Sequence, residues 1–203
     1  MNLLFMGVQG SGKGTQSKII SEKFGIAHIS TGDLLRGASE QLRKEIDSHI
    51  NVGYLVPDEL MLKVLKERLS FEDCKKGFIL DGYPRNMAQA RKLDEITSID
   101  NVIEIQISDE EALIRAIYRV TCSKCGKGYN TKTNPSKKSG FCDKCNCVLT
   151  KRVDDNESAM RKRIEIYHKE TEPILLHYKS VKINGTQKIE KVTDDILIAL
   201  NKF

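Results

Sequence analysis

A glycine-rich loop near the start of the chain constrains the fold more than any other feature. The residues GVQGSGKGT at 7–15 contain the spacing G-x-x-x-x-G-K. They stand between an apolar run over 2–6, which predicts a buried strand, and a helical pattern over 15–24. Glycines let successive backbone N–H groups turn toward one anion, and the helix N-terminus points at the same place. The loop therefore predicts a nucleoside triphosphate site in which Lys13 reaches the β and γ phosphates.

The rest of the chain alternates short apolar runs with helical patterns. Residues 31–50 predict helical pieces that are interrupted at Gly37. Because strands and helices alternate along the chain, we expect an α/β fold with a mostly parallel sheet. The other predicted strands are 26–29, 77–80, 102–107 and 181–183, and the other predicted helices are 57–69, 87–96, 108–120, 155–178 and 192–200.

Composition bounds the class of protein. The chain has 203 residues, of which 39% are hydrophobic, and this is enough for a core of ordinary domain size. No apolar run approaches the roughly 20 residues that cross a bilayer, and the apolar start lacks the pattern of a signal peptide. We therefore expect a cytoplasmic protein. The net charge of +5 is concentrated in residues 121–152, a segment that should attract phosphate groups.

Five of the six cysteines fall in this basic segment. Cys122, Cys125, Cys142 and Cys145 have the spacing C-x2-C-x16-C-x2-C, which is typical of a zinc site with four thiolate ligands. Such a site leaves no position for a reactive water, so the zinc would be structural. Cys147 could pair with Cys142 or Cys145 instead. The regular spacing favours Cys145 as the ligand and leaves Cys147 as a spare thiol.

Three further motifs follow the phosphate loop. They are STGDLLR at 30–36, DGYPR at 81–85 and RVDD at 152–155. Together with the loop, they resemble the adenylate kinase family in order and separation along essentially the whole chain. The four-cysteine insert resembles the zinc-binding lid of the long bacterial form. The resemblance implies a P-loop nucleoside monophosphate kinase fold, with a parallel five-stranded sheet flanked by helices and a small lid insert.

The resemblance also implies an activity, namely reversible Mg²⁺-dependent phosphoryl transfer from ATP to AMP, which gives two ADP and serves adenine nucleotide homeostasis. The chain is rich in arginine near these motifs, and the planar guanidinium suits a site that holds two polyanions face to face. By resemblance, the catalytic residues are Lys13, Arg85, Arg119, Arg152 and Arg163. ATP would be bound by Gly10, Ser11, Gly12, Lys13, Gly14, Thr15, Arg115, Arg119, Gly128, Tyr129 and Gln187. AMP would be bound by Thr31, Arg36, Tyr54, Leu55, Val56, Gly82, Tyr83, Pro84, Arg85, Gln89, Arg152 and Arg163.

The same resemblance implies supporting roles for four acidic residues. Asp81 would orient Mg²⁺ through water, with Asp33 as a second candidate, and Asp154 and Asp155 would hold the arginines and the lid hinge. The chain would divide into a core (1–29, 57–120 and 155–203), a monophosphate-binding segment (30–56) and a zinc-binding lid (121–154).

Three positions depart from the family pattern. Gln9 stands where proline is usual, and we expect little effect because the side chain should point away from phosphate. Tyr54 stands where lysine is common, which puts affinity for the monophosphate in doubt. Asn130 replaces a frequent histidine in the lid.

Alternatives stay open at this stage. UMP/CMP kinases share the phosphate loop but have a short lid, and GTP could replace ATP as the donor. A zinc-ribbon nucleic-acid-binding protein with an NTPase domain would also use a basic insert, although Tyr129 and Phe141 are few aromatics for base stacking. We favour a monomer that binds ATP and AMP or ADP, and neither nucleic acid nor membrane. Single residues also have plainer interpretations: Arg161 as a solvated charge, Asp33 as a helix cap, Gln89 as an exposed helical residue, His28 as structural and Cys74 as an ordinary helix-face residue.

Overall fold

The computed structural model describes residues 1–37, 54 and 56–201, and a parallel sheet lies at its centre. The strands of this sheet are β1 (Asn2–Met6), β2 (Ala27–Ser30), β3 (Phe78–Asp81), β4 (Asn101–Gln106) and β8 (Ser180–Asn184). Within the described residues their order is β2-β3-β1-β4-β8, and every neighbouring pair is parallel. The predicted five-stranded parallel sheet is therefore confirmed.

The strands form where the chain is continuously apolar because both faces of the sheet are covered. On one face Leu3 and Ile103 are fully buried in a cluster that includes Ile196. On the other face Leu4 is fully buried in a cluster that includes Leu65. Because β1 and β3 are parallel neighbours, their carboxyl ends lie side by side at one edge of a sheet that is packed on both faces.

Helices cover both faces, and side-chain caps mark where several of them begin. The side chains of Ser30, Asn86, Ser108 and Asn156 each accept a hydrogen bond from the backbone N–H three residues later. Ser30, and not Asp33, is thus the cap of the second helix. The helices are α1 (Lys13–Phe24), α2 (Thr31–Arg36), α3 (Asp58–Leu69), α4 (Met87–Asp94), α5 (Asp109–Ile117), α6 (Glu157–Ile166), α7 (Ile174–His177) and α8 (Ile189–Leu200).

Two predicted helices differ most from the structure. The helix predicted over 155–178 is broken, because α6 gives way to a π-helix over Tyr167–Thr171 and Pro173 separates this from α7. The helix predicted over 108–120 ends at Ile117, since the chain then enters a strand. Of the helical pieces predicted over 31–50, α2 is present and ends before Gly37, and the remainder lies outside the described residues.

A second, smaller sheet forms in the basic insert. Its strands are β5 (Arg119–Cys122), β6 (Gly128–Asn130) and β7 (Leu149–Thr150), and both pairings are antiparallel. Cys74, expected on a helix face, is buried in a short 3-10 turn over Glu72–Cys74. Among the described residues, no helix combines the length and the apolar character needed to span a bilayer.

Candidate active site

The phosphate loop joins β1 to α1 and has the backbone that its glycines allow. Gly7, Gly10 and Gly12 have φ of 138°, 95° and 100°, values that side-chain-bearing residues rarely adopt. A Cβ on Gly10 would lie 2.5 Å from the carbonyl oxygen of Ala112, so this position has no room for a side chain. The Ser11 N–H donates to the Val8 carbonyl at 3.1 Å and curls the loop around the start of α1.

The ammonium of Lys13 lies against the backbone of this loop, and none of the residues that the structure describes places a carboxylate within 4 Å of it. Its Nζ donates to the carbonyl oxygens of Gly7 (2.8 Å) and Val8 (3.1 Å). Burial lowers the pKa of Lys13 to about 8, and the charges of Arg85 and Arg119 add to this against the opposing effect of Asp81. An anion bound in the loop would reverse this depression, since it would favour the charged ammonium.

Asp81 faces the loop from the end of β3. A Cβ on Gly14 would lie 3.1 Å from Asp81 Oδ2, which places the carboxylate beside the start of α1. The His28 ring approaches the same oxygen at 3.7 Å. Burial alone would raise the pKa of Asp81, but His28 and Lys13 outweigh it, and the pKa stays below its usual value. Asp81 is therefore an ionised acceptor next to the phosphate loop, as the predicted magnesium role requires.

The DGYPR motif forms a second loop across from the first. Gly82 has φ of 88°, and a Cβ there would lie 2.8 Å from Thr31 Oγ1, which itself donates to the Asp81 carbonyl. The Tyr83–Pro84 peptide is cis. Arg85 Nε donates to the Gly82 carbonyl at 2.7 Å.

Gln89 holds the backbone of this second loop. Its Oε1 accepts from the Arg85 N–H at 2.8 Å, and its Nε2 donates to Asp58 Oδ1 at 2.6 Å. The side chain is buried, so the interpretation of Gln89 as an exposed helical residue is wrong. Thr171, in the π-helix, donates its hydroxyl to the Arg85 carbonyl at 2.7 Å. Asp58 and Thr171 are site residues that sequence reasoning missed. Asp58 suggested only the start of a helix, and Thr171 fell inside a helix that was predicted without a break.

A cavity separates the two loops, and cations surround it. Its lining includes Gly7, Gln9, Lys13, Arg85 and Arg163. Burial lowers the pKa of Arg85 to about 10, with a further contribution from the charge of Arg163. Positive charge thus converges on a space between two loops that each expose backbone groups.

Carboxylates connect α2 to the RVDD motif and to α6. Asp33 accepts from Arg36 at 2.6 Å and lies 3.9 Å from Arg152. Asp154 accepts from Arg163 at 2.8 Å and lies 3.9 Å from Arg36. These four pairs join α2, the RVDD motif and α6. In the sequence α2 is far from the other two, and it meets them only in the folded chain.

A more deeply buried pair joins the start of β5 to the RVDD motif. Arg119 Nε donates to Asp155 Oδ2 at 2.8 Å, its NH2 group donates to the other oxygen, and the Asp155 side chain has no exposed surface. Arg115, one turn earlier, donates to Glu111 and to the Gly185 carbonyl. Asn130 donates its amide to the Arg115 carbonyl at 3.0 Å, which shows what this departure from the family pattern contacts.

The four predicted zinc ligands lie together in the lid. The Sγ atoms of Cys122, Cys125, Cys142 and Cys145 all fall within 4.8 Å of one another. A tetrahedron with Zn–S bonds of about 2.3 Å has sulfur atoms about 3.8 Å apart. The closest pairs here, 122 with 145 and 125 with 142, are 3.4 and 3.5 Å apart. Four soft thiolates in this arrangement fit zinc, and the predicted alternative ligand Cys147 is not in the group.

Tyr129 packs into this cluster. The side chain is buried, its hydroxyl lies 3.5 Å from Cys142 Sγ, and the same oxygen accepts from the Asp143 N–H at 2.8 Å. Lysines lie over both lid aromatics, Lys127 over Tyr129 and Lys138 over Phe141. A lysine over one face of each ring leaves less open aromatic surface for base stacking. An ATP contact by Tyr129 stays a prediction.

Several other predicted site residues are exposed or have partners of their own. Tyr54 is exposed, with Lys162 5.7 Å from its ring centre, whereas Val56 is buried and Leu55 lies outside the described residues. Gln187 bonds the Asn184 carbonyl and Asp195, and Gly14, Thr15 and Gly128 are exposed. Arg161 pairs with Glu157 on the exposed face of α6, as expected of a solvated charge.

The fold and the geometry of the site define a class of enzyme. A phosphate loop that faces a second, arginine-lined loop across a cavity is the arrangement of a P-loop phosphotransferase that holds two phosphate-bearing ligands. A sequence model of the family described as adenylate kinase matches residues 5–183. The chain belongs to the adenylate kinase family, and it is a phosphotransferase of the nucleoside monophosphate kinase type.

Similar proteins extend over the full length of the chain. An adenylate kinase of Thermodesulfovibrio yellowstonii is 44% identical over an alignment of 214 positions, which covers 100% of both chains. One of Archaeoglobus fulgidus is 44% identical and covers 100% of this chain and 99% of its own. One of a Geobacillus species is 45% identical over 208 residues, with coverage of 97% and 96%.

Proposed function

We propose that this enzyme transfers the terminal phosphoryl group of ATP to AMP, reversibly and with Mg²⁺, to give two ADP. One observation carries the proposal: Lys13 and Arg85 line a common cavity, and the side-chain hydrogen bonds that they make there go to backbone carbonyls. Among the described residues, no carboxylate lies within 4 Å of either cation. Cations that have no carboxylate in contact, beside two glycine-containing loops, suit two polyphosphates that meet end to end.

The donor side is assigned to the phosphate loop and the lid. The backbone of the loop would surround the ATP phosphates, with Lys13 on the β and γ groups. Arg119 would flank the nucleotide from the hinge, where Asp155 fixes its orientation. The remaining proposed donor residues are Gly10, Ser11, Gly12, Gly14, Thr15, Arg115, Gly128, Tyr129 and Gln187.

The acceptor side is assigned to the DGYPR loop and the segment before α3. Arg85 would hold the AMP phosphate, and Gln89 keeps the Arg85 backbone in place through its hydrogen bond at 2.8 Å. Arg36, Arg152 and Arg163 would exchange their present carboxylate partners for phosphate oxygens. The remaining proposed acceptor residues are Thr31, Tyr54, Leu55, Val56, Gly82, Tyr83 and Pro84.

The chemistry needs no covalent nucleophile. The arginines would hold the two phosphates in line, and they would stabilise the charge that spreads over the transferring group. Mg²⁺, when bound with the nucleotide, would supply further charge neutralisation, and Asp81 would hold it through water. Closure of the lid would exclude water and so suppress wasteful hydrolysis of ATP.

The lid and the two remaining parts of the chain have separate tasks in this proposal. The core (1–29, 57–120 and 155–203) binds phosphates, the segment 30–56 closes over the monophosphate, and the lid (121–154) closes over ATP. Zinc on the four cysteines would replace a hydrophobic core that a segment of this size cannot form. A cytoplasmic monomer remains our expectation from the sequence.

The proposal is tested by initial rates with a panel of nucleotides. We expect AMP to be the preferred acceptor over GMP, CMP and UMP when MgATP is the donor, with ADP as the measured product. Replacing ATP by GTP tests the donor. A preference for UMP or CMP, or activity that requires nucleic acid, would refute the assignment.

A further inference from the structure

Lys18 connects the core to the lid at a point far from the hinge. It lies on α1, five residues after Lys13, and therefore about 7.5 Å farther along the helix axis. Its Nζ donates to the carbonyl oxygen of Cys125 at 3.2 Å, across 107 positions of sequence. Cys125 is one of the four clustered cysteines, so the bond joins the phosphate-loop helix to the predicted zinc site.

Other hydrogen bonds between core and lid in the described part of the chain lie near the base of the lid, among them that from Arg163 to Asp154. Asn130 donates to the Arg115 carbonyl and the Thr131 N–H donates to the Tyr118 carbonyl, both at 3.0 Å. These bonds would persist while the lid turns about its base. Within the described part of the chain, Lys18 makes the one hydrogen bond from α1 to the lid, and no carboxylate lies within 4 Å of its ammonium.

We propose that Lys18 docks the lid: its ammonium holds the 122–128 turn against α1 in the arrangement described here, which we call closed, and thereby sets the ratio of open to closed lid. Only one part of the inference rests on the proposed function, namely that docking of the lid tightens the binding of ATP. In this proposal Lys18 acts through the lid and not on the reacting groups, so it is a positioning residue.

The chemistry of the lid favours this contact. The surrounding segment is strongly basic, so a lysine at its edge would be repelled unless a local acceptor compensated. The Cys125 carbonyl is such an acceptor. Four thiolates around one divalent ion would also give the cluster a net charge of −2, which would attract the ammonium once the metal is bound.

The size of the effect on the lid equilibrium follows from the kind of contact, which is a single hydrogen bond from an ammonium to a carbonyl. A half-buried hydrogen bond of this kind shifts an equilibrium by about threefold to tenfold. In zinc-loaded Lys18→Met, we expect the KM for ATP to rise by that factor while the KM for AMP changes less than twofold. Lys18→Arg keeps a charged donor and should stay close to the wild-type values. Lys23→Met is the matched control, because Lys23 is an exposed lysine on the same helix.

A second measurement reports on the lid without any turnover. NMR relaxation dispersion of the Gly126 and Gly128 amides gives the populations of the exchanging lid states in nucleotide-free protein. We expect the open-to-closed ratio to rise about threefold to tenfold in Lys18→Met. Lys23→Met should leave it unchanged.

The two measurements together can overturn the proposal. An unchanged ratio in Lys18→Met overturns it, whatever happens to the KM for ATP. A changed ratio with an unchanged KM for ATP overturns the link from docking to nucleotide binding. Wild-type protein that does not convert ATP and AMP to ADP would refute the proposed function instead, and the NMR comparison would still test the docking.

Discussion

The buried pair at the lid hinge gives the sharpest test of how the site is held. Arg119 and Asp155 form two hydrogen bonds, the Asp155 side chain is fully buried, and that of Arg119 is 21% exposed. Asp155→Asn keeps the shape of the side chain and removes its charge. The Arg119 guanidinium would then remain in a largely buried place without a counter-charge.

The structure sets the size of this effect. Breaking a buried pair by changing one partner costs about 3–5 kcal/mol of unfolding free energy. Because water reaches part of Arg119, the low end, about 3 kcal/mol, applies here. For a chain of this length, this corresponds to a fall in Tm of about 6–12 °C.

The assay is calorimetric melting of zinc-loaded protein, and the control is an exposed pair in the next helix. Glu157 and Arg161 are 59% and 66% exposed, so Glu157→Gln should cost less than about 1 kcal/mol. Equal losses of Tm in Asp155→Asn and Glu157→Gln would refute the reasoning. A loosened hinge should also raise ATP hydrolysis relative to transfer to AMP, and an unchanged ratio would contradict the proposed role of closure.

Three further predictions concern pH and metal. Affinity of the free enzyme for a triphosphate should fall as pH rises through about 8, the pKa to which burial lowers Lys13; titration calorimetry at pH 7 and 9 measures this, and Lys13→Met should abolish the dependence. Removal of metal by a chelator should lower the Tm by several degrees without abolishing transfer, and an unchanged Tm would contradict a structural role. Glu172 and Asp109 raise the pKa of His168, so its contribution to stability is present below about pH 6.5 and lost as pH rises through the raised pKa. His168→Gln should therefore lower the Tm slightly at pH 5.5 and less at pH 8.5, and a larger loss at pH 8.5 would contradict this.

The parallel sheet and the phosphate loop could be predicted from the sequence because their causes are local. A continuous apolar run such as 2–6 predicts a strand that is buried on both sides, and glycines at fixed spacing predict a loop that curls around an anion. The break between α6 and α7 could not be predicted from periodicity, since the π-helix over Tyr167–Thr171 keeps a helical pattern.

The contacts of the site depend on tertiary structure and are therefore harder to predict. Gln89 contacts Asp58 because α3 packs against α4, and no local sequence pattern predicts this packing. Lys18 likewise meets the lid across 107 positions. The four cysteines are the exception, because metal-ligand spacing carries tertiary information in the sequence itself.

The most direct test of the central claim is the stoichiometry of the reaction, followed by ³¹P NMR with equal amounts of MgATP and AMP. We predict that each ATP consumed yields two ADP, that one AMP disappears with it, and that no inorganic phosphate forms. Formation of one ADP and one inorganic phosphate per ATP, at a rate independent of AMP, would contradict the claim that two nucleotides meet in this cavity.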